Sequence, residues 1–175
     1  MTDYIYVDNS NIYIEGCRLA AVKNYMEENI VEAMNNRTLD NSWQLDYGKL
    51  YEFFCGDDAI AKLWGSPPPS DSFWEMIRRK GWQVKTYRRN VQNKEKEVDM
   101  AIGHAMTKDA YKFGDAANDT FTLVAGDRDY APVVKDLVSE GFTVEVAFWS
   151  HASQDLKASA SKFIDLDQYH ELITR

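Results

Sequence analysis

Short apolar runs alternate with amphipathic helical segments along almost the whole chain, and that alternation restricts the fold more than any other feature. Tyr4–Val7 is a β-branched and aromatic run that stops at Asp8, as a buried strand does. Ile12–Val22 can be helical. Lys23–Trp43 is polar and rich in Asn and Glu; it reads as an insertion without an assignable structure. Asp46 is placed to cap a helix through Phe54, since Leu50, Phe53 and Phe54 fall on one face. Ala59–Trp64 reads as a second strand. Three consecutive prolines then force a loop within Gly65–Ser70, because proline lacks the N–H that a strand ladder needs.

Ser70 or Ser72 is expected to cap a helix to Lys80, which Gly81 ends. Trp82–Tyr87 alternates apolar and polar residues as a strand should. Glu97–Phe113 gives the clearest helical pattern, with Val98, Ala101, Ile102, Ala105 and Met106 at i, i+3, i+4, i+7 and i+8. Thr120–Ala125 is the run with the best β-propensity. Asp129–Glu140 follows as a helix, with Pro132 in its first turn and Gly141 after its end. Phe142–Phe148, a short helix at Gln154–Ala160, a strand at Phe163–Leu166 and a helical turn complete the order.

Strands separated by helices of this length imply right-handed βαβ crossovers and a central, mostly parallel sheet covered on both faces. The expected class is therefore an α/β three-layer sandwich. The 175 residues fit one domain, 1–175, with the polar insertion at about 23–44. A chain of this size buries roughly 70% of its unfolded surface and folds without disulfides or structural metal. Cys17 and Cys55 are the only cysteines and read as reduced thiols. No apolar run approaches the ~20 residues that a membrane helix requires. Met1–Asp8 lacks the features of a secretory signal, so the expected compartment is the cytoplasm.

A net charge of −8 argues at first sight against a nucleic-acid partner. The distribution of charge along the chain argues the other way. Eight of the 20 basic residues but one of the 28 acidic ones lie between Arg78 and Lys96. One basic stretch in an acidic protein suits a local phosphate contact better than the wrapping of long duplexes.

In open parallel sheets, sites form just beyond the carboxyl ends of the strands. Three aspartates fall there: Asp8 after the first strand in Y-V-D-N-S-N, and Asp127 and Asp129 after the fourth in V-A-G-D-R-D-Y. Asp99 lies in the first turn of the strongest helix, where the dipole favours its charge. Each has a bland reading. Asp129 is a competent helix cap, and Asp99 near a helix start is ordinary. Asp8 is harder to dismiss, because an acid directly after an apolar strand is partly buried and needs a partner. A shared cation is a good one. Hard oxygen ligands without His or Cys point to Mg²⁺ or Mn²⁺ rather than Zn²⁺.

Three blocks carry a wider resemblance: I-Y-V-D-N-S-N-I-Y at the start, K-E-V-D-M-A-I in the middle, and T-L-V-A-G-D-R-D-Y-A-P-V-V followed by G-F-T-V-E-V-A-F. With a weaker tail at F-I-D-L, they resemble the NYN domain, the LabA-like branch of the PIN-like nuclease superfamily. The resemblance implies a PIN-like fold of Rossmann-like topology. It also implies an acidic pocket that holds Mg²⁺ or Mn²⁺ for phosphodiester hydrolysis, usually of RNA. By position, Asp8, Asp99, Asp127 and Asp129 match the family's catalytic and metal-binding acids. Asn11 matches its polar residue after the first strand, and Lys96 the lysine before the helix aspartate. A further acid that many members carry in that helix is replaced by Ala105, with Asp109 one turn on.

The activity expected is that of a metal-dependent ribonuclease on single-stranded RNA, with DNA as a second candidate substrate. Asn11, Lys96, Arg88, Arg89 and Lys94 are candidate substrate contacts, and the basic stretch could instead be a solvated edge. Trp82 and Tyr87 could stack on bases, although a strand tryptophan is more often core. His104 reads as a packing or surface residue. A phosphatase of the haloacid dehalogenase type would need an acid two residues after Asp8, where Ser10 stands. A domain that only binds RNA or a protein is the reading from another class. No membrane partner is expected, and a homo-oligomer stays open.

Overall fold

The computed structural model describes residues 1–66, 70–87 and 94–175, with the backbone alone for 94–96. Six strands form one sheet, all parallel: β1 (Asp3–Asp8), β2 (Ala59–Gly65), β3 (Gln83–Thr86), β4 (Thr120–Val124), β5 (Thr143–Phe148) and β6 (Lys162–Asp165). Their spatial order is β3-β2-β1-β4-β5-β6. The chain builds outward from β1 in one direction, then returns to its other side and builds in the opposite direction. The point of reversal is the β1–β4 seam, the place where open α/β sheets form their crevice.

The helices are α1 (Asn9–Lys23), α2 (Ile30–Asn36), α3 (Tyr47–Phe54), α4 (Asp71–Arg79), α5 (Lys94–Phe113), α6 (Ala131–Ser139) and α7 (Gln154–Ser159). Side-chain alternation along the strands divides the core in two. Ile5, Val7, Leu63 and Val124 join Ile12, Leu50, Trp74 and Ile77, so α1, α3 and α4 cover that face. Tyr4, Tyr6, Phe121 and Leu123 join Val98, Ile102, Met106, Val134 and Leu137, so α5 and α6 cover the other. The same period carries Asp8, two residues after Tyr6, toward α5 and α6.

Several boundaries differ from those expected from the sequence. The helix after β1 starts at Asn9 rather than Ile12, because Asp8 caps it: its Oδ1 accepts the Asn11 N–H at 3.1 Å. Ser70 occupies the cap position of α4 without a capping hydrogen bond and instead pairs with the Ser72 hydroxyl. Asp129 does not cap the helix containing Pro132. Asp127 instead caps a 3₁₀ turn, Arg128–Tyr130, accepting the Asp129 N–H at 3.1 Å, and α6 follows that turn without a side-chain cap.

The polar insertion lies mostly exposed and is anchored on the core at a few residues. It contains α2, and its last residue, Trp43, is buried against Trp149 and stacked on His170. Both cysteines are free. Trp82 is buried, with Nε1 donating to the Tyr47 carbonyl, so it is a core residue and has no face free for a base. Among the described residues no helix is long and apolar enough to cross a membrane.

Candidate active site

Asp8 is 6% exposed at the carboxyl end of β1. Its Oδ1 accepts the Asn11 amide, and its Oδ2 accepts the Tyr130 hydroxyl at 3.0 Å. Both donors are uncharged. Among the described residues none of the four acids makes an ion pair. The Tyr130 hydroxyl also lies 3.0 Å from Oδ1 of Asp99, on α5. Residues from β1, α5 and the turn after β4 thus meet at one oxygen.

A hydroxyl carries a single proton, and two ionised carboxylates cannot both receive it in full. Burial and the neighbouring charges raise the pKa of both carboxyls. Burial pushes Asp99 up to about 7, and the charges of Asp8, Asp127 and Asp129 push in the same direction, with the Tyr130 hydrogen bond opposing them. Asp8 is also raised, first by burial; the donors Asn11 and Tyr130 counteract this, and Asp127 adds to it. Tyr130 is held firmly as the neutral phenol by its own burial and by the two carboxylates.

Asp127 and Asp129 lie in the exposed turn after β4. Asp127 spends one oxygen on the cap of that turn. Gly126 permits the approach: a Cβ there would sit 2.1 Å from the Phe148 ring. Its N–H donates to Oδ1 of Asn11 at 2.8 Å, a hydrogen bond that crosses the β1–β4 seam. Asn11 therefore joins two strand ends, and its side-chain oxygen is already occupied. Its side-chain NH₂ is the group left for the substrate contact expected of it.

The site would suit a hard divalent cation in its chemistry, since it offers two buried or half-buried carboxylates that make no ion pair among the described residues, and two exposed ones in the turn after β4. Among the described residues, no three acids stand close enough to form a ready-made ligand cage. Closing one requires Asp127 or Asp129 to turn inward, or water to complete the sphere. Asp109, the acid one turn beyond Ala105, is not part of the group. It is as buried as Asp8 but is paired with Lys62 at 2.5 Å and accepts the Tyr6 hydroxyl at 2.8 Å.

Two openings lie at this edge of the sheet, and the first of them is lined by acids. A groove of about 440 Å³ runs between α5 and α6 and is lined by Asp99, Asp129, Tyr130 and His104. A cleft of about 840 Å³ starts at Asn9 and Ser10, on the opposite side of the sheet edge. Of the expected substrate contacts, Arg88 and Arg89 lie outside the described residues, as do the side chains of Lys94 and Lys96. Sequence reasoning misses Tyr130. The signal available is a tyrosine directly after the second acid of G-D-R-D-Y, since a buried tyrosine hydroxyl normally finds a partner.

The NYN domain family model matches residues 4–167. The chain belongs to the NYN domain family. NYN domains are generally nuclease-like, which agrees with acids placed at a seam rather than within a core. Among solved structures, a Vibrio parahaemolyticus protein of unknown function is similar in fold, with a TM-score of 0.70 at 18% identity, over 99% of this chain and 96% of that one. No curated protein matches the chain.

Proposed function

We propose that this NYN domain is a metal-dependent ribonuclease that hydrolyses phosphodiester bonds of single-stranded RNA. The observation that carries the reading is the convergence of Asp8 and Asp99 on one hydroxyl proton at the β1–β4 seam, with no ion pair to either among the described residues. A fold stabilised for its own sake would not hold two carboxylates in that way. Asp8 and Asp127 are the proposed direct ligands of Mg²⁺ or Mn²⁺, and Asp99 and Asp129 either ligate or hold metal-bound water. A bound ion would lower the pKa of its water and offset charge on the phosphate oxygens.

The chain's own residues supply the frame. Tyr130 keeps Asp8 and Asp99 at a fixed separation, and Asn11 fixes the β4 end relative to β1. Asp8 is buried and oriented from both oxygens, so its direction is set before any ligand arrives. Arg88, Arg89, Lys94 and Lys96 are proposed to hold the phosphates on either side.

Cleavage of labelled single-stranded RNA by purified protein, with Mn²⁺ and with chelator, tests the reading. Hydrolysis should need the cation. Asp8→Asn and Asp127→Asn should each lower it about a hundredfold or more. Asparagine is as good a helix cap as aspartate, so both variants should keep the fold. Wild-type rates in either variant would refute the assignment.

A further inference from the structure

The cleft that begins at Asn9 and Ser10 has no part in the metal chemistry just described, yet its first two residues follow Asp8 in the chain at the same carboxyl edge of the sheet. Consecutive Cα atoms are about 3.8 Å apart, so Ser10 lies within about 8 Å of Asp8 along the backbone. From there the cleft passes between α1, α3 and α4, with Ser66 after β2 also on its wall. At about 840 Å³ it is within the range of sites that enclose a small organic ligand.

The lining is mixed in a particular way. Tyr13 and Phe73 contribute rings. Asn9, Ser10 and Ser66 contribute uncharged polar groups, and Lys80 contributes a cation. The Asn9 amide oxygen is taken by the Tyr47 hydroxyl at 2.7 Å, which leaves its NH₂ as the group available to a ligand. Asp46, the one acidic side chain on the wall among the described residues, is engaged by the N–H groups of Gly48 and Lys49. Ring faces beside neutral donors suit a base and its sugar. A cation beside them suits the attached phosphate.

We infer that this cleft is a nucleotide subsite. It takes the base and ribose of a residue next to the phosphate that the acids receive, so that a single strand crosses the carboxyl edge of the sheet from cleft to seam. The inference rests on the ribonuclease reading and extends it to substrate selection. It predicts a preference for unpaired RNA, because a base reaches such a cleft only when it is unstacked.

The test compares two substrates and one binding measurement. Ser66→Leu fills the cleft with an aliphatic branch, and Phe73→Leu keeps apolar packing while removing the ring. Against wild type, both should lower kcat/KM for single-stranded RNA at least tenfold more than for bis(p-nitrophenyl) phosphate, which is too small to need the cleft. That is the loss expected for one stacked base. The rise should be in KM. Anisotropy of end-labelled RNA in chelator should show the same loss of binding. If both substrates are hydrolysed and the variants leave their ratio unchanged, the subsite is overturned while the ribonuclease reading stands. If wild type hydrolyses neither, the ribonuclease reading fails and the binding measurement decides. Weaker RNA binding by both variants supports a nucleotide cleft, and equal binding overturns it.

Discussion

Asp99→Asn should have opposite effects with and without metal. In the metal-free protein Asp99 is held at about 7 instead of 3.8, chiefly by burial. Its folded pKa exceeds its unfolded one, so the stability linked to protonated Asp99 is present below about pH 4 and is lost as pH rises through about 7. Full conversion of that difference would be about 4 kcal/mol. The carboxyl is only half-buried, and solvent screening brings the figure to about 1–2 kcal/mol. Asparagine does not titrate and can still accept the Tyr130 hydroxyl. Relative to wild type, the variant in chelator should therefore gain about 1–2 kcal/mol between about pH 4 and pH 8. For a protein of this length that is roughly 2–8 °C in Tm. At the upper pH, Mn²⁺ should raise the wild-type Tm by mass action and raise the variant's much less. Scanning calorimetry at several pH values, with and without Mn²⁺, reads both effects. Parallel pH profiles for the two proteins would refute the strained-acid argument. An undiminished Mn²⁺ response in Asp99→Asn would remove Asp99 from the metal site.

Tyr130→Phe removes the hydroxyl shared by Asp8 and Asp99, and metal affinity measured by titration should fall roughly 10- to 100-fold, as for other groups that orient ligands; unchanged affinity would show that the hydroxyl positions nothing. Gly126→Ala drives a methyl group to within 2.1 Å of the Phe148 ring and should lower unfolding stability by about 1–3 kcal/mol in denaturant. Replacing Arg88, Arg89 and Lys94 together by Ala should reduce the slope of log K against log salt for single-stranded RNA by roughly 0.7 per lost contact; an unaltered slope would return these residues to a solvated edge.

Strand and helix order is legible in the sequence because each segment shows its own period, as in Val98, Ile102 and Met106 on α5 or Tyr4 to Val7 on β1. The strand-end aspartates are legible for a topological reason: in a doubly wound sheet, the residue after a buried strand faces the crevice. What is not legible depends on contacts between distant segments. Nothing near Tyr130 states that its hydroxyl meets a carboxylate 122 positions away. No local pattern announces that the Asn11 side-chain oxygen holds the Gly126 N–H across the seam, 115 positions away. The cap after β4 goes to the nearer acid, Asp127, because a 3₁₀ turn intervenes before α6, and hydrophobic spacing does not distinguish that turn from a helix start. The insertion resists assignment because its polar residues conceal one anchor, Trp43, whose partners, Trp149 and His170, lie near the other end of the chain.

The sheet order has a consequence for how such a site can arise and be regulated. β1–β3 and β4–β6 are two successive halves of the chain that meet along one line, and the acids are shared between them: Asp8 from the first, Asp127 and Asp129 from the second, Asp99 from the helix that links them. Neither half holds the set alone. If the acids bind a cation as proposed, the ion becomes a clasp across that line, beside the Asn11–Gly126 hydrogen bond. Loading the ion and tightening the two halves are then one event, so a partner that prises the halves apart could unload the domain without touching its acids.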